Sequence, residues 1–422
     1  MNIKAISKKD ELLKQIYYHE EVSSEAIDAL DGTYYSEKLK AKLVKDGFLK
    51  KAVVKNTNKT ALKRGVCFSI QSYYVTAKGK KYLKEKFPEE FRGKIFKTRK
   101  QSNEAIERLV KISDSAIMSE IAGACIPPNY DVDTIMDNIT HGVFVTPAEA
   151  KKNLSLTKED VSHYKFTAIT GVLLTPTKPY YLYSAGNGFI SQTAGGEEKI
   201  ANHLSISFAR DYSLYPDALT DRITNAIIFC KNISAFVKLV LNKYNTKVKP
   251  GEIFDNSYII PVSRYGCNII KRFIEKPEYK NKLIDYLISE YGFSKNQGYA
   301  GKPGYAVNAL PVVNPNGEAV FIGIDFEVNS FRTAIEIATE DKESKLQRIV
   351  VLCFTWQQDY YDEVIRQLGT DKIICQPIDE EALDEILGFE NRIQTVKPRA
   401  RRERNWAKKR AYIRPLFWIV LL

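Results

Sequence analysis

The stretch Tyr35-Ser-Glu-Lys-Leu39-Lys-Ala-Lys-Leu43-Val-Lys-Asp-Gly47-Phe-Leu49 decides the reading of this chain. Tyr35, Leu39 and Leu43 stand four apart, the spacing of a helix that buries one side. Thr33 is placed to cap that helix, which runs to Asp46, and Gly47 stops it. At the same helical period Tyr34, Lys38, Ala41 and Lys45 fall on the opposite face. Outward from the helix, 48–54 and 68–75 read as strands rich in apolar and β-branched residues. Between them 55–65 is polar and basic. Thr76 then caps a helix over 77–87, ended by Pro88. Upstream, Leu12, Leu13, Ile16 and Tyr17 mark a helix over 10–18. Ser23 or Ser24 caps a short helix over 25–30, and Asp31-Gly32 turns into the helix first quoted.

The order helix, helix, helix, strand, basic loop, strand, helix predicts an N-terminal winged helix-turn-helix over 1–92, with the loop as its wing. Charge points the same way. From Gly47 to Lys84 the chain has ten basic residues and no Asp or Glu. A run of one sign suits a phosphate backbone, because each cation that neutralises a phosphate releases a condensed counterion. The expected DNA contacts are Thr33, Tyr34, Lys38, Lys42 and Lys45 on the helix, with Ala41 beside them in the major groove. Lys55, Asn58, Lys59, Lys63 and Arg64 would hold the backbone or minor groove.

The quoted run and the later Tyr73-Tyr-Val-Thr-Ala-Lys-Gly79 together resemble the winged helix of the plasmid replication-relaxation proteins. Val75 stands where the family pattern has Leu. The resemblance covers about 90 residues. It implies a DNA-binding protein of a plasmid or an integrative and conjugative element, acting in replication or in relaxation and transfer. It also implies a C-terminal domain related to nucleases, and replication or transfer proteins as partners.

The remaining sequence sets the bounds. The 422 residues suffice for two or three domains. The net charge of +12 sits at the two ends: 1–100 carries 24 basic against 12 acidic residues, 397–422 nine against one, and 101–396 is net acidic. This distribution predicts a nucleic-acid-binding head on an ordinary body. The six cysteines are far apart and mostly in apolar runs, as buried thiols in a reducing compartment are. The first residues are charged, and no run approaches the ~20 apolar residues of a membrane span. A cytoplasmic location is the expectation.

After a basic linker over 93–103, a helix is expected over 104–126, stopped by Pro127-Pro128. It would either dimerise the protein or pack within the body. Within a body over 104–396, strands and helices alternate from about 164, most clearly over 319–378, which predicts a parallel α/β layer. The sharpest candidate for chemistry is Asp325-Phe-Glu327 on an apolar strand over 319–328. Alternation would put both carboxylates on one face, where they could hold Mg²⁺ and activate a water for phosphodiester cleavage. Asn329 follows where an active nuclease of the restriction-endonuclease-like fold would want Lys, so a degenerate form of that fold is expected. Pro216-Asp217, Glu343 and Lys345 sit poorly for such a site. Side chains hydrogen-bonded to neighbouring helices are the plain alternative for Asp325 and Glu327.

His19, His141, His163 and His203 are too dispersed for a shared metal, and no phosphate-binding P-loop is present. No cofactor is expected, with Mg²⁺ needed only by the nuclease reading. The basic tail over 397–422 ends in seven apolar residues. It could touch phosphates, an anionic membrane surface, this protein or a partner. The reading is a double-stranded-DNA-binding protein rather than an enzyme, able to dimerise through its body. Its rivals are a Mg²⁺-dependent nuclease using Asp325 and Glu327, and a transcription regulator with an effector-binding body.

Overall fold

A computed structural model describes residues 7–31, 36–55, 69–91, 102–127, 130–153, 168–190, 192, 194–215, 223–296, 309–340 and 348–390. The architecture is mixed α+β, with helices and three sheets. The chain divides into two compact units: 1–255 with 259–275, and 256–258 with 276–422. By packing, the division therefore falls near 255–276. The segment expected as a linker, 93–103, lies outside the described residues except for its last two.

The first unit opens with α1 (Lys8–Tyr18), β1 (Val22–Ser23), α2 (Ser24–Asp31), α3 (Ser36–Lys45), β2 (Leu49–Lys55), β3 (Ser69–Val75), α4 (Ala77–Lys86) and the short α5 (Pro88–Phe91). The strands form an antiparallel sheet in the order β1-β3-β2, with Leu49 opposite Val75 and Lys55 opposite Ser69. Leu12, Leu13 and Ile16 of α1, Ile27 of α2, Leu43 of α3 and Leu83 of α4 meet in one core. Of the expected caps, Thr33 lies outside the described residues and the others hold. Ser23 Oγ accepts the Ala26 N–H, Thr76 Oγ1 accepts the Gly79 N–H, and Gly47 takes φ 76° after α3. Gly79 is required for a second reason: a Cβ there would stand 2.5 Å from the Phe48 carbonyl oxygen.

The long helix α6 (Asn103–Ile121) adds Ile117 and Ile121 to that same core. It was expected to run to 126 but stops five residues earlier. Gly123 takes φ 106°, and the Gly123 and Ala124 amides fold back onto the Glu120 and Ser119 carbonyls. A left-handed glycine thus ends the helix before the prolines can. Next come α7 (Val132–Asn138), β4 (Val143–Val145), α8 (Pro147–Asn153), β5 (Ile169–Leu174), β6 (Pro179–Gly186), α9 (Ala194–Tyr212), β7 (Asn225–Cys230), α10 (Ile233–Val240), β8 (Asn256–Pro261) and α11 (Arg264–Glu275). The second sheet runs β4-β5-β6-β7-β8, antiparallel through β6 and parallel from β6 to β7. β5 and β7 are buried at every residue.

The second unit contains α12 (Tyr279–Tyr291), β9 (Ser294–Lys295), β10 (Val312–Val313), β11 (Ala319–Ile322), α13 (Val328–Glu340), β12 (Ile349–Phe354), α14 (Gln358–Leu368), β13 (Ile373–Ile378) and α15 (Glu380–Ile386). Its sheet runs β13-β12-β11-β10-β9. The three strands β11, β12 and β13 are parallel, as the alternation of elements led one to expect, and β9 and β10 close the edge antiparallel.

One expected element needs correction here. The strand expected over 319–328 ends at Ile322, so Asp325 and Glu327 do not alternate on a strand face. At Gly323 the backbone passes under Tyr361, whose hydroxyl donates to the Gly323 carbonyl at 2.6 Å, and a Cβ on Gly323 would lie 2.9 Å from that hydroxyl. Phe326 then takes φ 59°, a left-handed conformation that costs an aromatic residue of order 1 kcal/mol. Packing holds it there, because its ring contacts Trp356, Tyr360 and Tyr361. Among the described residues no helix is long and apolar enough to cross a membrane.

Candidate nucleic-acid interface

On α3 the side chains of Lys38, Lys42 and Lys45 are exposed, at positions i, i+4 and i+7 of one helical face, and Ala41 lies exposed among them. The helix packs on β2, whose Lys50, Lys51 and Lys55 are also exposed. None of these six lysines makes an ion pair with a described residue. Val53 is 56% exposed on the same hairpin and pairs in register with exposed Gln71. Of the other expected DNA contacts, Thr33, Tyr34, Asn58, Lys59, Lys63 and Arg64 lie outside the described residues. The structure thus leaves Lys38, Lys42, Lys45 and Lys55 exposed, and adds Lys50 and Lys51, which alternation on β2 points to opposite faces. Both added lysines sit in the acid-free run, which was the signal for them.

Lys40 breaks the pattern of its helix, being only 1% exposed. Its Nζ donates to Asp28 Oδ1 at 2.7 Å, Glu37 Oε1 at 2.9 Å and Ser24 Oγ at 2.9 Å. Burial by itself lowers the lysine pKa, but the bonds to Asp28 and Glu37 outweigh it and the net shift is upward. The ammonium therefore stays charged and ties α3 to α2.

Helix α2 is in turn held at both ends by the rest of the first unit. At its start, Asp114 of α6 accepts the Ser23 N–H at 3.2 Å, and Lys231 pairs with Glu25 at 2.5 Å. At its end, the Arg264 guanidinium donates to the Ala29 and Leu30 carbonyls, both at 2.8 Å, satisfying acceptors that a helix terminus leaves open. Burial pushes the Asp114 carboxyl up to about 7, with Ser23 offsetting only part of the effect. On the far side of the core, Asp10 of α1 accepts from Lys86 at 2.6 Å and Tyr82 at 2.8 Å, and also from Ser7. Burial would raise this carboxyl, but those hydrogen bonds, chiefly from Lys86, outweigh it and bring the pKa down to about 2. Asp10 and Asp114 are thus turned inward onto partners, whereas Lys38, Lys42 and Lys45 of α3 are left to solvent.

The second candidate, Asp325 with Glu327, has a different arrangement. Glu327 sits just before α13 and caps it, Oε1 accepting the Asn329 N–H at 2.9 Å and Oε2 the Ser330 N–H at 2.7 Å. The Ser257 N–H adds a longer contact to Oε1 at 3.4 Å. Asp325 Oδ2 accepts from Lys280 Nζ at 3.0 Å, and Oδ1 from the Glu327 N–H at 3.2 Å. Each oxygen of the pair already accepts a hydrogen bond, and the two residues are 8% and 4% exposed. This geometry engages Glu327 as a helix cap and Asp325 in an ion pair. Among the described residues no group of three or more His, Cys, Asp or Glu could hold a metal ion. Pro216, Asp217, Glu343 and Lys345 lie outside the described residues.

A scan against protein-family models and searches of curated proteins and of solved structures each find no match for this chain.

Proposed function

We propose that this protein binds double-stranded DNA through residues 8–91, folded as a winged helix with α3 as the recognition helix. The observation that carries the reading is the exposed set Lys38, Lys42, Lys45, Lys50, Lys51 and Lys55, with no ion-pair partner among the described residues. Lys38, Lys42 and Lys45, unpaired on one face of α3, are costly to gather without an anionic partner, because like charges close together repel. A phosphate backbone supplies that partner. The β2–β3 hairpin that follows three helices, with β1 paired onto β3, supports the winged-helix reading. Asn58, Lys59, Lys63 and Arg64, in the segment that joins β2 to β3, would extend the contact as a wing.

The likeness of the 35–49 and 73–83 segments to the plasmid replication-relaxation proteins supports a place in the replication or transfer of a mobile element. In that reading the second unit is a nuclease-like layer that has lost its chemistry. Its parallel strands β11, β12 and β13 support the likeness, and the engagement of Glu327 as a cap supports the loss.

Binding of the full chain to fragments of its own replicon and to random duplex, with and without Mg²⁺ and followed by a gel for nicks, tests the proposal. Preference for one fragment without nicking is the expected result. Absence of binding to any duplex would refute it. Nicking that needs Mg²⁺ and is lost in Asp325→Ala would show the second unit to be active.

A further inference from the structure

In the second unit, Leu283 and Leu287 of α12, Leu352 of β12, Ile378 of β13 and Leu383 and Ile386 of α15 line a shallow apolar groove. Its floor belongs to a continuous apolar core, whereas Ile386 at its lip is 46% exposed. The exposed Ile386 leaves an apolar edge against which a further apolar segment gains by packing.

The chain supplies one from close by. Phe389 packs in the same core, its ring meeting Tyr279 edge-on at 6.0 Å between centroids, and Glu390 is the last described residue. The last described residue thus follows Ile386, at the groove's lip, by four positions. Residues 391–415 then lead to the run Leu416-Phe-Trp-Ile-Val-Leu-Leu422. A chain of 25 residues with random-coil statistics spans roughly 25–30 Å. That is ample for a return to its own origin, and it gives the apolar run an effective concentration on the order of millimolar.

Charge favours the same occupant. The tether carries nine basic residues and one acid over 397–414. Helix α15 and the residues after it carry Glu380, Glu381, Asp384, Glu385 and Glu390 with no base among them. Glu381, Glu385 and Glu390 are exposed there, as are Asp285 and Glu290 on α12.

We propose that the groove between α12 and α15 is the docking site of residues 416–422 of the same chain, with Phe417 and Trp418 as apolar anchors and the basic tether along the acidic edge of α15. The inference is independent of the DNA-binding reading.

The test uses the full chain with Trp418→p-benzoylphenylalanine, irradiated over a tenfold range of protein concentration and mapped by mass spectrometry. The expected photoproducts join 418 to peptides of α12 or α15 within one chain. Their yield is unchanged by dilution and falls about tenfold in Ile386→Asp, the loss expected when one apolar contact of this size is removed. Should Ile386→Asp not fold, hydrogen exchange of α12 in Trp418→Asp replaces it, and faster exchange than in the parent chain is expected. Four results would overturn the proposal. They are photoproducts that join two chains and fade on dilution, photoproducts formed only with vesicles of anionic lipid, intrachain photoproducts mapping elsewhere, and unchanged α12 exchange.

Discussion

The lysines of α3 and β2 and the carboxylates Asp325 and Glu327 are the two clusters marked for chemistry by sequence, and the fold treats them oppositely. Lys38, Lys42 and Lys45 point to solvent, whereas Glu327 is spent on the amides of Asn329 and Ser330 and Asp325 on Lys280. The difference lies in the neighbouring backbone. A carboxylate just before a helix finds unpaired N–H groups waiting for it. A lysine in mid-helix meets only satisfied backbone, and so stays available unless acids are folded against it. Lys40, two residues from Lys38, shows that exception, being held by Asp28 and Glu37.

The sharpest way to break the comparison is to remove the cap. Glu327→Ala is expected to destabilise the second unit by about 2 kcal/mol, the cost of leaving helix-terminal amides unpaired away from water. Glu327→Gln keeps an acceptor and should cost less. Thermal unfolding measures both, and an unchanged midpoint in the alanine variant would free Glu327 for another role.

Two carboxylates of the first unit make opposite predictions with pH. Asp114 has a pKa of about 7 in the fold against ~3.9 in an unfolded chain. The folded state therefore binds its proton more tightly, and stability falls as pH rises from about 4 to about 7. The gain in midpoint from Asp114→Asn should grow across that window and level off above it. Asp10 runs the other way. Its pKa is about 2 when folded, so its contribution is complete above about pH 4 and is lost as pH falls towards 2. Asp10→Asn should abolish that acid-limb loss, and urea unfolding at a series of pH values reads both residues.

The smallest expected effect sharpens the other side. Lys42→Ala with Lys45→Ala removes exposed, unpaired cations and should change stability by under about 0.5 kcal/mol. A larger loss would mean that these lysines support the fold rather than face a ligand.

Parts of this arrangement were legible in sequence, for reasons that can be named. Leu39 and Leu43 at helical spacing, with Gly47 behind them, gave α3, and the exposed face followed from the same period. The parallel strands β12 and β13 stood out as short β-branched runs between helices. Helix α11 was overlooked, although Cys267, Ile270 and Ile274 repeat at helical spacing, because Asn268, Lys271 and Arg272 interleave polar residues. The burial of Lys40 depends on Asp28 of another helix, a contact that no local pattern records. The run over 319–328 reads as one strand because Ile324, Phe326 and Val328 continue its apolar pattern past Gly323, alternating with Asp325 and Glu327. What ends it is the approach of Tyr361, 38 residues away in sequence.

The most direct test of the DNA-binding reading compares the two units in one assay. Binding of duplex DNA by the full chain is measured across a salt series for Lys42→Ala with Lys45→Ala, and for Lys282→Ala with Lys295→Ala in the second unit. The slope of log K against log salt should become shallower by about 1.8 in the first pair, 0.9 for each lost phosphate contact, and stay unchanged in the second. Equal slopes for both pairs and the parent chain, or no binding of duplex at all, would contradict the assignment of α3 and β2 as the nucleic-acid face.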